Sequence, residues 1–238
     1  MKSFVKLIGA LMLLLGVSSL AFAELTIDVT KGIEGRGIPI AVAPFAGSAP
    51  LDIAGVIASN LKRSGKFAPQ SPDARADYSV TGQANPGGAR GYIVQFQLAG
   101  AQGNPLLNLS FDVPPNQLRP VAHRISDLIY EKLTGEKGLA ATKIAYVIAS
   151  GGFWFLVVAD ADGQNPNVIL RSSQPIMSPS WSPDSSRLAY VSFEGRRPQI
   201  VVQDVYSGAR RVVSAAPGIN GAPSWAPNGQ RLAFTLSK

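Results

Sequence analysis

The second half of the sequence repeats itself, and this repeat limits the possible folds more than any other feature. Residues 178–191 read Ser-Pro-Ser-Trp-Ser-Pro-Asp-Ser-Ser-Arg-Leu-Ala-Tyr-Val, and residues 222–234 read Ala-Pro-Ser-Trp-Ala-Pro-Asn-Gly-Gln-Arg-Leu-Ala-Phe. A shorter copy in the same phase, Lys-Ile-Ala-Tyr-Val, occupies residues 143–147. A repeat of about 40–45 residues is typical of a β-propeller, in which each repeat forms one four-stranded sheet. The residues that keep their phase are Pro179, Trp181, Pro183, Asp184, Pro223, Trp225, Pro227 and Asn228.

Each full copy contains a turn whose residues suit its geometry. Pro183 and Pro227 stand at the second position of a tight turn, where the backbone φ angle matches the proline ring. Asp184 and Asn228 follow, and both residue types tolerate the third position. The two repeat tryptophans are interpreted as packing between neighbouring propeller sheets and not as platforms for a ligand. We expect the turn-bearing strand of each sheet to run innermost.

Strand-like segments accompany the repeats and complete the predicted sheets. They are rich in apolar, β-branched and aromatic residues, and they are Phe153–Ala159, Val168–Leu170, Arg187–Val191, Gln199–Asp204 and Arg210–Val213. The sequence reaches only the third repeat, and no Trp-Ser-Pro strand precedes Lys143. A closed propeller has about 4–8 sheets. We therefore expect residues 139–238 to form an incomplete propeller, with two sheets and the start of a third, as in a truncated chain.

The amino terminus has the pattern of a secretory signal peptide. Two lysines, at positions 2 and 6, precede an apolar run at residues 7–15, and small residues precede the expected cleavage site after Ala23. The run is shorter than the about 20 residues that a membrane-spanning helix needs. We therefore expect residues 1–23 to be removed and the mature protein to be exported without a membrane span. The lack of cysteine is compatible with the bacterial periplasm.

The first domain, residues 24–138, alternates between strand-like and helical segments. Leu51–Arg63 and Pro120–Leu133 each place apolar residues at the spacing of an amphipathic helix. The strand-like segments are Ile38–Phe45, Tyr78–Gln83, Tyr92–Leu98 and Leu106–Val113. We therefore predict an α/β domain with a mixed sheet and two helices, followed near Gly138 by the all-β propeller.

A strand pattern opens the mature chain. The residues that alternate between polar and apolar are Glu24, Leu25, Thr26, Ile27, Asp28 and Val29. Glycines follow at positions 32, 35 and 37, so a flexible joint separates this strand from the rest of the domain. Two interpretations remain open: an ordinary first strand on its own sheet, or a strand that pairs with another protein.

The sequence contains no pattern that predicts catalysis. It has no cysteine, one histidine and no Gly-x-Ser-x-Gly motif, which excludes thiolate chemistry, a His-rich metal site and the usual serine-hydrolase nucleophile. The histidine, His123, lies on the second predicted helix and is interpreted as a hydrogen-bonded surface residue. The lysines and arginines are scattered, which is typical of a solvated surface and not of nucleic-acid binding. We predict a protein without enzymatic activity, cofactor or metal.

Several stretches are similar to the TolB family of the Tol-Pal system of Gram-negative bacteria. Residues 59–67, Ser-Asn-Leu-Lys-Arg-Ser-Gly-Lys-Phe, resemble the end of the family's first helix, and residues 123–138 resemble its second helix and linker. Stretches that resemble its first propeller sheets are residues 159–163, 175–179 and 187–197. The sequence departs from the family at Asn60, where Asp is usual, and in its length.

This resemblance implies a periplasmic protein with an α/β domain, a six-bladed propeller and no enzymatic activity. It implies two protein partners: TolA, bound through the mature amino-terminal segment Glu24–Val29, and the lipoprotein Pal, bound on the propeller. The implied role is to link inner-membrane TolA to the outer membrane, for envelope integrity and outer-membrane invagination during cell division. An alternative remains, namely the propeller portion of an exported hydrolase or peptidase whose catalytic domain is missing from this sequence.

Overall fold

The computed structural model describes residues 37–237 of the chain. The predicted signal peptide, residues 1–23, and the predicted strand Glu24–Val29 lie outside the described residues. Within them, a mixed sheet with two helices is followed by three separate antiparallel sheets. The predicted fold class, an α/β domain followed by an incomplete propeller, is confirmed. Neither helix in this part of the chain combines the length and the apolar character needed to cross a membrane.

The α/β domain is built on one mixed sheet. Its elements are β1 (Ile38–Val42), β2 (Ala46–Gly47), α1 (Ile53–Arg63), β3 (Phe67–Gln70), β4 (Tyr78–Gly87), β5 (Gly91–Gly100), β6 (Pro105–Val113) and α2 (Leu118–Thr134). The strand order is β3-β1-β4-β5-β6, with β2 beside β4. β1 runs parallel to β3 and β4, whereas β4, β5 and β6 are antiparallel neighbours. The crossover through α1 explains the parallel part of the sheet, and hairpins explain the rest.

The hairpin between β4 and β5 is longer than the sequence predicts. The glycine-rich residues 85–88 are typical of a turn, but β4 continues through Pro86 to Gly87. Pro86 pairs with Tyr92 near the end of the hairpin. On its other side β4 is paired only as far as Ala84. Pro86 thus lies where the described part of the sheet gives β4 a single neighbour, a position that tolerates a missing N–H.

Both helices cover one face of the sheet and build the first core. α1 begins after Asp52, whose carboxylate accepts the N–H of Gly55 at 2.9 Å. α2 ends at Gly135, whose φ of 77° is left-handed and suits glycine. The buried apolar side chains at the centre of this core are Ile40, Ile53, Ile57, Leu61, Val80, Val94, Phe96, Leu98, Ile125 and Ile129.

Three antiparallel sheets follow over residues 143–237. The first contains β7 (Lys143–Ser150), β8 (Phe153–Asp160) and β9 (Asn167–Ser172); the second β10 (Ile176–Trp181), β11 (Arg187–Ser192), β12 (Gln199–Asp204) and β13 (Arg210–Ser214); the third β14 (Ile219–Trp225) and β15 (Leu232–Ser237). The second sheet has the four strands of a propeller repeat, whereas the first has three strands and the third has two. A second core joins the first two sheets through Leu156, Val158, Ile176, Leu188, Tyr190 and Val201.

Candidate functional site: the junction between α2 and the first propeller sheet

The repeat prolines lie at turns and bulges of the second and third sheets. Pro183 and Pro227 take the second position of their turns, and in each turn the N–H of the fourth residue donates to the carbonyl of the first at 2.9 Å. Pro179 and Pro223 lie within β10 and β14, at the points where the pairing register with the next strand shifts. Such an irregularity accommodates a residue without an N–H group.

The acidic or amide residue after each turn proline fixes the turn. The Asp184 carboxylate accepts the Ser182 hydroxyl at 2.6 Å and the Ser186 N–H at 3.2 Å. The hydrogen bond from Ser182, followed by those from Ser186, lowers the pKa of Asp184 to about 2. Asn228 takes the same position in the next turn, where its side-chain oxygen accepts the Gln230 N–H at 3.1 Å.

The two repeat tryptophans end equivalent strands but have different surroundings. The indole N–H of Trp225 donates to the Ser180 carbonyl at 3.2 Å, and the Arg187 guanidinium lies 4.7 Å from the centre of the same ring. Trp225 therefore packs on the second sheet. Trp181 packs against the second core, and its Nε1 has no hydrogen-bond partner among the described residues. Both side chains are half-buried.

A charged junction joins α2 to the first propeller sheet, and the sequence analysis does not identify it. Arg119, His123 and Asp127 recur every four residues and therefore share one face of α2. Arg119 forms an ion pair with Asp162, and its Nε lies 3.5 Å from the Asp160 carboxylate. Asp160 ends β8, and Asp162 lies in the turn that follows. The junction thus places two carboxylates of the propeller against a helix of the α/β domain.

His123 is buried at this junction, so its predicted position on the surface is wrong. Its side chain is 3% exposed, because Asn60 of α1, the end of β8 and the turn after β8 lie against it. Nε2 lies 3.7 Å from an Asp160 oxygen and 3.9 Å from an Asp162 oxygen. Both distances exceed that of a normal hydrogen bond. Among residues 37–237, Nε2 therefore has no hydrogen-bond partner at normal distance.

Neighbouring side chains determine which nitrogen of His123 carries the proton. The Asn60 amide lies 2.9 Å from His123 Nδ1 and 3.1 Å from an Arg63 nitrogen. Because a guanidinium can only donate, Asn60 turns its oxygen toward Arg63 and its NH₂ group toward His123. The NH₂ group also donates to the Ser126 hydroxyl at 3.0 Å. Nδ1 therefore accepts a hydrogen bond, and the proton of the neutral ring sits on Nε2, which faces the two carboxylates.

The charges of the junction balance one another. Burial lowers the pKa of His123 below its ordinary 6.5, although Asp162 and Asp160 oppose this effect. Burial alone would raise the pKa of Asp162, but a backbone N–H and the Arg119 guanidinium outweigh it and hold this pKa below its ordinary value. Lys143, which is half exposed, pairs with Asp160. At neutral pH a neutral imidazole therefore lies beside two ion pairs, Arg119 with Asp162 and Lys143 with Asp160.

The spacing of the junction residues resembles a metal site, but their chemistry does not fit one. Ligand atoms of His123, Asp160 and Asp162 lie within 4.8 Å of one another. A metal-binding imidazole nitrogen must be unprotonated, whereas Nε2 carries the proton here. Each carboxylate also has a cation of the protein beside it, so a divalent ion would add uncompensated charge.

The linker after α2 is fastened to the same face of the helix. The Asp127 carboxylate accepts the N–H groups of Ala140 at 2.7 Å and Ala141 at 2.9 Å. Gly138 passes so close to α2 that a Cβ there would lie 2.6 Å from the Cα of Asp127, closer than real Cβ atoms approach. A cavity of about 380 Å³ lies beside it, lined by both helices and the linker.

Comparison with known proteins decides the family. The TolB beta propeller domain matches residues 130–238, and the TolB amino-terminal domain matches residues 25–75. The Tol-Pal system protein TolB of Haemophilus influenzae is 44% identical over 251 residues, which cover 93% of this chain and 58% of that protein. The chain belongs to the TolB family.

Other TolB proteins agree in sequence and in structure. The Tol-Pal system protein TolB of Coxiella burnetii is 44% identical, over 84% of this chain and 53% of that protein. The crystal structure of TolB from Acinetobacter baumannii matches with a TM-score of 0.79 at 36% identity, over 85% of this chain and 56% of that one. The chain thus spans a little over half the length of the TolB proteins it matches. The resemblance to the TolB family is confirmed.

Two signals in this TolB-family sequence point toward the junction. Arg119, His123 and Asp127 form a polar stripe on a helix whose opposite face is apolar, and Asp160 and Asp162 lie at the end of a strand and in the turn after it. Each signal is ordinary by itself. Their meeting is not visible in the sequence, because the ion pair of Arg119 with Asp162 joins residues 43 positions apart.

Proposed function

We propose that this chain acts in the periplasm as a non-enzymatic adaptor of the Tol-Pal system, which links inner-membrane TolA to the outer-membrane lipoprotein Pal. Its relatives carry the name Tol-Pal system protein TolB, and the signal-like residues 1–23 support export. The chain spans 58% of its Haemophilus influenzae relative, so the role of a whole TolB protein enters here as part of the proposal. That role serves envelope integrity and outer-membrane invagination during cell division.

We assign the contact with TolA to the segment Glu24–Val29. Its polar and apolar residues alternate, as in a strand with one buried face. In the described part of the chain, β1 has a neighbouring strand on each side, β3 and β4. The edge next to β1 is β3, which has four residues and includes Pro69, a residue without an N–H for pairing. An alternating strand of this kind is suited to join the edge of a partner's sheet.

The observation that carries the proposal is the junction between α2 and β8. An adaptor must transmit displacement between its two binding regions, which we place on the amino-terminal segment and on the propeller. The ion pair of Arg119 with Asp162 crosses this boundary, and Asp127 holds the linker beside it. These contacts tie the first propeller sheet to the α/β domain, as an adaptor requires. We assign no propeller residue to Pal.

The relatives favour an adaptor over the hydrolase alternative. TolB domains match residues 25–75 and 130–238, and the TolB protein of Haemophilus influenzae is similar over 93% of this chain, which includes the α/β domain as well as the propeller sheets.

A pull-down with the purified periplasmic part of TolA tests the proposal. Deletion of residues 24–30 should abolish recovery of TolA while thermal unfolding stays cooperative. Ile27→Pro should act like the deletion because it removes a backbone N–H, and the matched control Ile27→Val should bind normally. TolA recovered undiminished by the deleted protein would overturn the assignment. Loss of cooperative folding on deletion would place the strand on its own sheet and overturn it as well.

A further inference from the structure

His123 is the one histidine of the chain, and the proposed function gives it no task of its own. It is buried between the α/β domain and the first propeller sheet. Charged groups surround it from every element packed on it, namely Arg63 of α1, Arg119 and Asp127 of α2, Lys143 of β7, Asp160 of β8 and Asp162 of the following turn.

The neutral imidazole fits this environment. Nδ1 accepts the Asn60 NH₂ group at 2.9 Å, and the Nε2 proton points toward Asp160 and Asp162. The Asn60 amide is held in turn by Arg63 and by Ser126, whose hydroxyl donates to a backbone carbonyl at 2.9 Å. Donors and acceptors around the ring are thus fixed for the uncharged form.

A second proton on His123 conflicts with this arrangement. It would occupy Nδ1, so that an N–H group would face the NH₂ group of Asn60 at 2.9 Å. Turning the Asn60 amide over places its NH₂ group against Arg63, which also only donates. Asp160 and Asp162 attract an imidazolium, but each already pairs with a cation. Protonation therefore breaks a hydrogen bond of the buried network whichever way Asn60 turns.

We infer that His123 is a proton-sensitive latch between the α/β domain and the first propeller sheet, closed when the imidazole is neutral and weakened when it is protonated. The lowered pKa of His123 agrees with the direction given by the geometry. The pKa of the buried ring lies below the ordinary 6.5. As the pH falls, an imidazole that is exposed to solvent when the two parts separate therefore takes up a proton before the buried imidazole does. The latch is at full strength above pH 6.5, and its contribution is lost as the pH falls toward the pKa of the buried ring. The inference stands on the junction alone and does not depend on TolA or Pal.

Imidazole NMR of the full chain tests the state of the ring. With isotope-labelled histidine, the single imidazole gives an unambiguous pair of nitrogen signals. We expect the proton of the neutral ring on Nε2 and a titration midpoint below 6.5. In Asn60→Asp the midpoint should be higher, since a carboxylate accepts an N–H from Nδ1. A neutral ring protonated on Nδ1, or a midpoint above 6.5 in the unaltered chain, would overturn the inference.

A distance measurement tests whether the latch holds the two parts together. The chain has no cysteine, so Ser59→Cys on α1 and Gln164→Cys beyond β8 give two unique positions for spin labels. Both side chains are exposed and line the same groove. Between about pH 8 and about pH 5, where histidine titrates, the label-to-label distances should broaden and shift to longer values.

Two variants separate His123 from other sources of pH dependence. Asn60→Asp should keep the distances narrow at both pH values, because its carboxylate binds the protonated ring. His123→Gln should remove the pH dependence altogether. Unchanged distances in the otherwise unaltered labelled chain, or the same broadening in Asn60→Asp, would refute the latch. Should His123→Gln fail to fold, Asn60→Asp decides the question by itself.

Discussion

Replacing Gly138 with alanine should lift the linker away from α2, because this glycine packs directly on the helix backbone. A Cβ at this position would lie 2.6 Å from the Cα of Asp127, and a helix backbone cannot yield as the end of a side chain can. Ala140 and Ala141 would then lose their hydrogen bonds to the Asp127 carboxylate. The φ angle of Gly138 is not positive, so alanine brings no backbone strain of its own.

The size of the effect follows from these two hydrogen bonds. A hydrogen bond to a charged group contributes about 1.5–3 kcal/mol. The bond from Ala140 is part-buried and that from Ala141 is exposed, so we take about 3 kcal/mol for the pair. Alanine has less conformational freedom than glycine in the unfolded chain, and this offsets the loss of stability by about 0.4–1 kcal/mol. The free energy of unfolding should therefore fall by about 2 kcal/mol.

Urea unfolding followed by tryptophan fluorescence measures this change. Asp127→Ala should cost much less in the Gly138→Ala background than alone, because the same bonds are already lost. Gly221→Ala is the matched control, since its Cβ would meet only Ile219 at 3.9 Å, and it should change stability by less than about 0.5 kcal/mol. A Gly138→Ala protein as stable as the unaltered chain, or additive effects in the double mutant, would refute the reasoning.

Two further predictions concern the repeats. Trp181→Ala should lower the free energy of unfolding, measured by calorimetry, by about 3 kcal/mol. This is the lower end of the range for a large aromatic side chain, because the ring is half-buried. A change within about 0.5 kcal/mol would show that the ring does not pack between the sheets. The pKa of Asp184 falls from its ordinary 3.8 to about 2 in the folded turn. Between these two pH values the unfolded carboxylate takes up a proton and the folded one does not, so the turn should lose stability as the pH falls through this range. Hydrogen exchange at the Ser186 N–H should then accelerate relative to that of Gln230 in the Asn228 turn, which does not titrate; equal behaviour of the two turns would contradict the argument.

The propeller strands are predictable from the sequence because their signals are local. The segments predicted at Arg187–Val191, Gln199–Asp204 and Arg210–Val213 end within one residue of β11, β12 and β13. A proline-containing turn and the β-branched residues beside it define these strands without reference to distant residues. The short strands β2 and β3 are not predicted. β3 has only four residues. It pairs with β1 because the chain crosses over through α1, and the local spacing of apolar residues carries no signal for that pairing.

The junction is not predictable from signals of this kind. A helical period shows that one face of α2 is apolar, and it therefore predicts His123 on the surface. It does not show that Asp160 and Asp162, at the end of β8 and in the turn after it, lie against the polar face. The contact of Arg119 with Asp162 is set by the packing of the two parts. The strand Glu24–Val29 and its partner stay predictions.

α2 belongs to both halves of the molecule, and this limits how the family can recombine. Val121 and Ile125 lie in the core of the α/β domain, whereas Arg119 on the same helix holds Asp162 of the propeller. A gene fusion at the linker that joined this helix to a foreign propeller would leave Arg119 without its carboxylate partner. Such an exchange keeps the ion pair only if the turn after β8 travels with α2. The segment that must stay together for this contact therefore extends past Gly138 to the turn after β8.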